Sequence, residues 1–211
     1  MNDLVEYSLK AFASFFSLIN PLGIMPVFMS MTNGLNQRQR KAVAFKASLT
    51  AFIMLILFAL AGQLIFNFFS ITVDSFRIVG GIIFFMMGYE MLQARLSRVK
   101  ITPEEEAGYV TDISITPLAI PIICGPGAIT NAIIFWDDAA GWLERFVLLA
   151  VIFVIIFITW LVLVGAGRIM NFLGDTGNKI MLRLMGLIVM VIAVEFFFAG
   201  LRPILKGILG T

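Results

Sequence analysis

Gly125-Pro126-Gly127-Ala128 sits inside a run, Ile113 to Trp136, that carries no charged residue, and Asn20-Pro21-Leu22-Gly23 sits inside a second such run, Ala11 to Asn36. Uncharged apolar runs of that length read as transmembrane spans. Proline has no amide to donate and clashes with the preceding turn, and glycine has no side chain to hold helical geometry. A helix through either stretch should therefore break. Broken backbone at membrane depth is tolerated only where protein buries it or where it lines a wet cavity. One such break in each half of a chain is the sequence pointer to a transporter's binding site.

The rest of the chain agrees with a membrane setting. It has 211 residues, 60% of them hydrophobic and only 13% charged, with 21 phenylalanines, and its mean hydropathy is +1.00. That composition excludes an ordinary soluble domain and indicates an all-α membrane protein. A net charge of +2, with no basic cluster among polar aromatics, argues against nucleic acid as a partner. The single cysteine, Cys124, excludes an internal disulfide. The acidic start, Met1 to Glu6, reads as a retained first span rather than a signal peptide.

Six spans are expected, over residues 5–31, 42–69, 76–96, 113–135, 145–170 and 179–201, with the first and fourth discontinuous. The longest polar segment, 97–112, carries Arg98, Lys100 and Glu104 to Glu106 and reads as a solvated loop. The halves read as copies. Arg77-Ile78-Val79-Gly80-Gly81-Ile82 matches Arg183-Leu184-Met185-Gly186-Leu187-Ile188, Asn67-Phe68-Phe69 matches Asn171-Phe172-Leu173, and Pro21 matches Pro126. All three matches fall near one offset, so residues 1–100 and 101–211 read as two three-helix repeats within one transmembrane domain. A repeat with an odd number of spans places its second copy upside down, which is an inverted repeat. Counting cations gives Arg38, Arg40, Lys41, Lys46, Arg95, Arg98, Lys100, Arg168 and Lys179 on one side, against Lys10, Arg77, Arg145, Arg202 and Lys206 on the other. The positive-inside rule then predicts both termini outside.

Asn20-Pro21-Leu22-Gly23-Ile24-Met25-Pro26 and Pro121-Ile122-Ile123-Cys124-Gly125-Pro126-Gly127-Ala128-Ile129-Thr130 resemble the motifs of the MarC family, also called the small neutral amino acid transporter (SnatA) family. The resemblance covers the whole chain in length, span number and motif position. It implies a secondary transporter of glycine, alanine and similar amino acids in the cytoplasmic (inner) membrane, working by alternating access and coupled to a proton or sodium. The substrate class follows from the resemblance alone. A channel or exporter for another small solute, or a non-transporting membrane subunit, is the competing reading.

The candidate substrate site comprises Asn20, Pro21, Leu22, Gly23, Gly125, Pro126, Gly127, Ala128, Thr130 and Asn131. Half-helix N-termini offer free amides and positive partial charge to a carboxylate, and half-helix C-termini offer carbonyls to an ammonium group. A zwitterion therefore suits a site without charged side chains. The bland reading of the same stretches is a proline kink that shapes packing. Thr130, Asn131 and Asn20 can cap helix ends or touch ligand, and Ser14 and Ser17 can bond back to the preceding turn. Glu90 and Glu195 lie late in the third and sixth spans. In a chain without histidine they are the candidates for carrying a coupling proton. Against that stands a solvated place at the interface, paired with Arg95 or Arg202. Arg77 and Arg183 read as interfacial anchors, and Gly80, Gly81, Gly88 and Gly186 as close helix packing. Without histidine Cys124 lacks a catalytic base, and no ligand spacing suggests a metal, so neither an enzyme nor a cofactor is expected.

Overall fold

The computed structural model describes residues 2–32, 34–93 and 113–209, and every element among them is helical. In chain order these are α1 (Asn2–Ile19), α2 (Pro21–Met31), α3 (Gln37–Phe68), α4 (Val73–Leu92), α5 (Ser114–Ile123), α6 (Pro126–Asp137) and α7 (Trp142–Leu209). Arg95 and the polar segment 97–112, with Glu104 to Glu106, lie outside the described residues.

Local chemistry sets the helix starts. The Asn36 side chain accepts from the Gln39 amide while the Gln39 side chain accepts from the Asn36 amide. This reciprocal cap starts α3 at Gln37, five residues before the apolar run expected from Ala42, so the charged turn Arg38 to Lys41 is helical too. Thr72 caps α4 through the Ser75 amide, and Asp74 in the first turn pairs with Arg77 at 3.4 Å. A straight helix of 68 residues would be about 100 Å long, three times a bilayer core of about 30 Å. Gly174, at φ 68° and ψ 179°, interrupts α7. Glycine alone adopts that conformation without strain. Two arms result, Trp142–Ile169 and Thr176–Leu209. The second arm runs past the expected end at Leu201, because Arg202 and Lys206 end the apolar run but not the helix.

Among the described residues, five helical segments are long and apolar enough to cross a membrane: Leu4–Met31, Gln37–Phe68, Val73–Leu92 and the two arms of α7. The count is six if α5 and α6, which meet at 59°, form one span. Burial follows one stripe of α3, through Ala44, Ala47, Ala51, Leu55 and Ala59, at a spacing of three and four. Its opposite face leaves Phe45, Leu49, Ile53, Leu57, Leu60 and Leu64 exposed, as a surface meeting lipid requires. Lipid is as apolar as leucine, so helices associate in it through close van der Waals fit, which small residues permit. The α3 stripe packs on α5, on α6 through Ile133 and on α7, within one buried core that also takes in Phe15 and Ile19 of α1 and Phe28 of α2.

The closest fit joins α4 to the second arm of α7, antiparallel. The backbone at Gly88 meets Gly186, Gly81 meets Ala193, and Asp74 meets Gly200. The ends at Met31, Leu92 and Thr176 accordingly share one side of the molecule.

Candidate functional site

At the first break, Asn20 ends one helix and starts the next. Its amide donates to the Phe16 carbonyl at 2.9 Å, which closes the last turn of α1. Its backbone then turns left-handed, at φ 47° and ψ 67°, a region asparagine enters at low cost. Its carbonyl accepts from the Gly23 and Ile24 amides at 2.9 and 3.2 Å, and its Oδ1 accepts from the Gly23 amide at 3.2 Å. Pro21 occupies the first position of α2, where a missing amide costs nothing. A methyl on Gly23 would collide with the Asn20 side chain, so the absent Cβ makes room for the cap itself. Leu22 points outward, half exposed.

A cavity of about 50 Å³ lies beside this break. Leu18, Asn20, Gly23 and Val27 form one wall. The other wall is Phe84, Met87 and Met91 of α4, Ile122 of α5, and Val189 and Ile192 of α7. Asn20 is the only polar side chain among the described residues of the lining. The cavity extends from the break toward Val27 and Met91, hence toward the side that holds Met31 and Leu92.

The second break is built differently. In α5 the amide of Cys124 donates to the carbonyl of Ala119, five residues back, at 2.8 Å. That wide winding is interrupted by extended backbone at Thr116 and Ile120. Wide turns of this type recur at functional sites. Gly125 is extended, at φ −81° and ψ 169°, and Pro126 opens α6 with no side chain capping it. The Ile129 amide donates to the Gly125 carbonyl at 2.9 Å. Helix geometry leaves the amides of Gly127 and Ala128 without an intrahelical partner.

Apolar side chains fill the space in front of this second break. The Phe84 ring lies on Gly125, and Pro126 packs on Gly80. A methyl on Gly127 would meet Leu18 Cδ2 at 3.0 Å and Phe196 Cε2 at 3.3 Å. Leu18 and Phe84 also line the cavity, so these two side chains stand between the cavity and the second break. Of the ten candidate substrate residues, Asn20 and Gly23 border the cavity, whereas Gly125, Pro126, Gly127 and Ala128 are buried behind this apolar layer.

Thr130 is 2% exposed and its Oγ1 has no hydrogen-bond partner. Ser14 does not bond back along α1. Its Oγ donates to Asn131 Oδ1 at 3.0 Å and ties α1 to α6, because Asn131 offers an acceptor across the interface. Asn131 Nδ2 is buried and without a partner. Glu90 and Glu195 are exposed, on α4 and on the second arm of α7, and neither borders the cavity. Sequence reasoning treated phenylalanine and methionine as filler and so passed over Phe84 and Met91. Both lie on α4, away in sequence from either proline, so no pattern around the breaks points to them.

The model of a family described as MarC family integral membrane protein matches residues 5–205. Among curated proteins, the chain is 37% identical over 202 residues to the UPF0056 membrane protein PH0760 of Pyrococcus horikoshii, covering 96% of this chain and 98% of the relative. It is 34% identical over 209 residues to the UPF0056 membrane protein BU267 of Buchnera aphidicola, covering 98% and 97%. It is 35% identical over 202 residues to the UPF0056 membrane protein YvbG of Bacillus subtilis, covering 94% and 96%. No solved structure matches the chain.

Proposed function

The chain belongs to the MarC family of integral membrane proteins, and on that premise we propose that it carries small neutral amino acids such as glycine and alanine across the cytoplasmic membrane by alternating access. The observation that carries this reading is the cavity beside the first break, about 50 Å³ in volume, walled by apolar side chains and reached by one asparagine at the junction of two helix ends. A water needs roughly 10–15 Å³ of such space, so the cavity holds about three to five waters. Glycine, with about five non-hydrogen atoms, is of that size, and a leucine side chain would meet the walls. Helix ends supply partial charges of both signs, which lets a zwitterion bind without charged side chains.

Two inverted repeats with discontinuous first and fourth spans give this carrier its two faces. An offset of 105 residues carries Pro21 onto Pro126, Gly81 onto Gly186, Gly88 onto Ala193 and Glu90 onto Glu195. The same offset exchanges the contact Gly88–Gly186 with the contact Gly81–Ala193, and that reciprocity supports the repeat. With both termini outside, the cavity side is the cytoplasmic side. Glu90 and Glu195 are proposed as the carriers of a coupling proton.

Purified protein in liposomes tests the reading. Saturable counterflow of labelled glycine or alanine, with leucine failing to compete, is the expected result. Unsaturable flux makes the protein a channel, and absent flux of all small amino acids removes the proposal.

A further inference from the structure

We propose that the break at Gly125–Ala128 opens into a second cavity, the repeat-related mate of the one at Asn20–Gly23, and that Phe84 is the side chain whose position decides which of the two is open. The inference rests on the two-repeat carrier reading above and deepens it. The offset of 105 carries the first wall, Ile19, Asn20, Gly23, Ile24 and Val27, onto Cys124, Gly125, Ala128, Ile129 and Ala132. Met91, which borders the open cavity, maps onto Phe196, which packs over Gly127. Phe84 maps onto Val189 and Met87 onto Ile192, and all four already border the open cavity. These four residues form the wall that both cavities share.

Phe84 stands at the junction. Its ring lies on Gly125 and also borders the open cavity. The second cavity forms only when the ring leaves Gly125. The space next to it is the first cavity, whose volume of about 50 Å³ cannot hold both a phenyl ring and a ligand. Opening one cavity therefore closes the other. The asymmetry lies in the residues: position 84 holds phenylalanine where its mate 189 holds valine, and position 196 holds phenylalanine where its mate 91 holds methionine. The bulkier pair fills the second break in this state.

The chain carries its own reporter. Cys124 is the only cysteine and is fully buried here; its repeat mate Ile19, itself 1% exposed, lies in the wall of the open cavity. The test measures modification by a small membrane-impermeant thiol reagent, applied to either face of folded wild-type protein in liposomes. Ile19→Cys and Ala51→Cys, each in a Cys124→Ala background, serve as references for the open cavity and for the closed core. The expected result is fast labelling of Ile19→Cys from one face, slower but complete labelling of Cys124 from the opposite face, and no labelling of Ala51→Cys. Phe84→Ala is expected to speed Cys124 labelling about tenfold. If that variant does not fold, the wild-type measurement decides alone. Cys124 remaining unlabelled while Ile19→Cys reacts to completion, or labelling no faster than Ala51→Cys, or from the same face as Ile19→Cys, overturns the proposal. No substrate enters this experiment. A failed counterflow assay with a reactive Cys124 therefore removes the substrate assignment alone, and working counterflow with a closed Cys124 removes the second cavity alone.

Discussion

Gly88 and Gly186 meet backbone to backbone where α4 crosses the second arm of α7. A methyl built on either residue would lie 2.7 Å from the carbonyl oxygen of the other. Real Cβ atoms do not approach an oxygen that closely, so the crossing exists only because both positions lack a side chain. In lipid this fit replaces the hydrophobic drive that holds helices together in water.

Gly88→Ala is therefore expected to destabilise the protein by about 1–3 kcal/mol, the usual cost of overpacking. Gly165→Ala, where the added methyl meets nothing within 4 Å among the described residues, should be neutral or gain up to about 1 kcal/mol of helix propensity. Thermal unfolding of the two variants in one detergent compares them directly. Equal melting temperatures would show that the crossing relaxes freely.

At the first break, Asn20→Ala removes the cap on α2 and leaves a side chain in left-handed backbone. The two effects together should cost about 2–3 kcal/mol. Asn20→Gly keeps the backbone comfortable and should cost only a few tenths. A melting temperature for Asn20→Gly as low as that of Asn20→Ala would place the cost in the side-chain hydrogen bond rather than in the backbone.

Thr130 buries a hydroxyl without a partner. Thr130→Val removes that desolvated group at nearly constant shape and should raise stability by about 1 kcal/mol in the absence of ligand. On the proposed function glycine stabilises the protein, and the shift in melting temperature on adding it tells whether the hydroxyl also serves the ligand. A variant that is more stable but loses that shift assigns Thr130 to binding.

Gly23→Ala pushes against the Asn20 side chain, and Ala128→Val adds bulk at the buried second break. Each is expected to weaken glycine binding at least tenfold while the protein still inserts. Titration of the glycine-induced thermal shift reads this out. Unaltered binding in both folded variants would move the substrate site away from the breaks.

Glu90→Gln and Glu195→Gln are expected to abolish uptake driven by a proton gradient and to spare exchange of substrate at equal pH. Because both side chains are exposed and stand away from the cavity, coupling would act through movement of α4 and the second arm of α7. Unchanged gradient-driven uptake in both variants returns the two carboxylates to a solvated, interfacial role.

The breaks themselves were legible, because the absent amide of Pro21 and Pro126 and the absent side chain of Gly125 act within one turn of the backbone. The small-residue stripe at Gly81, Gly88 and Gly186 was legible for a similar reason: small residues at helical spacing in an apolar span have few other uses. What fills the space in front of each break was not. Phe84 reaches Gly125 from another helix, and Ser14 finds Asn131 from 117 residues away. Such pairings depend on how helices cross, and no local pattern records that. The wide winding of α5 was missed as well. Its proline-rich composition shows that regular bonding fails, but the partner that replaces it, the Ala119 carbonyl under the Cys124 amide, is set by how the segment is held in the bundle.

The layer that Phe84, Leu18 and Phe196 form over the second break has an electrical consequence. The cavity at Asn20 ends against hydrocarbon, and among the described residues no file of polar groups continues from it to the opposite face. A hydrated ion entering there would have to shed its water against phenyl rings, at a cost of many kilocalories per mole. In this conformation the protein is thus an insulator: the layer over the second break leaves an ion no wet path from the cavity across the membrane.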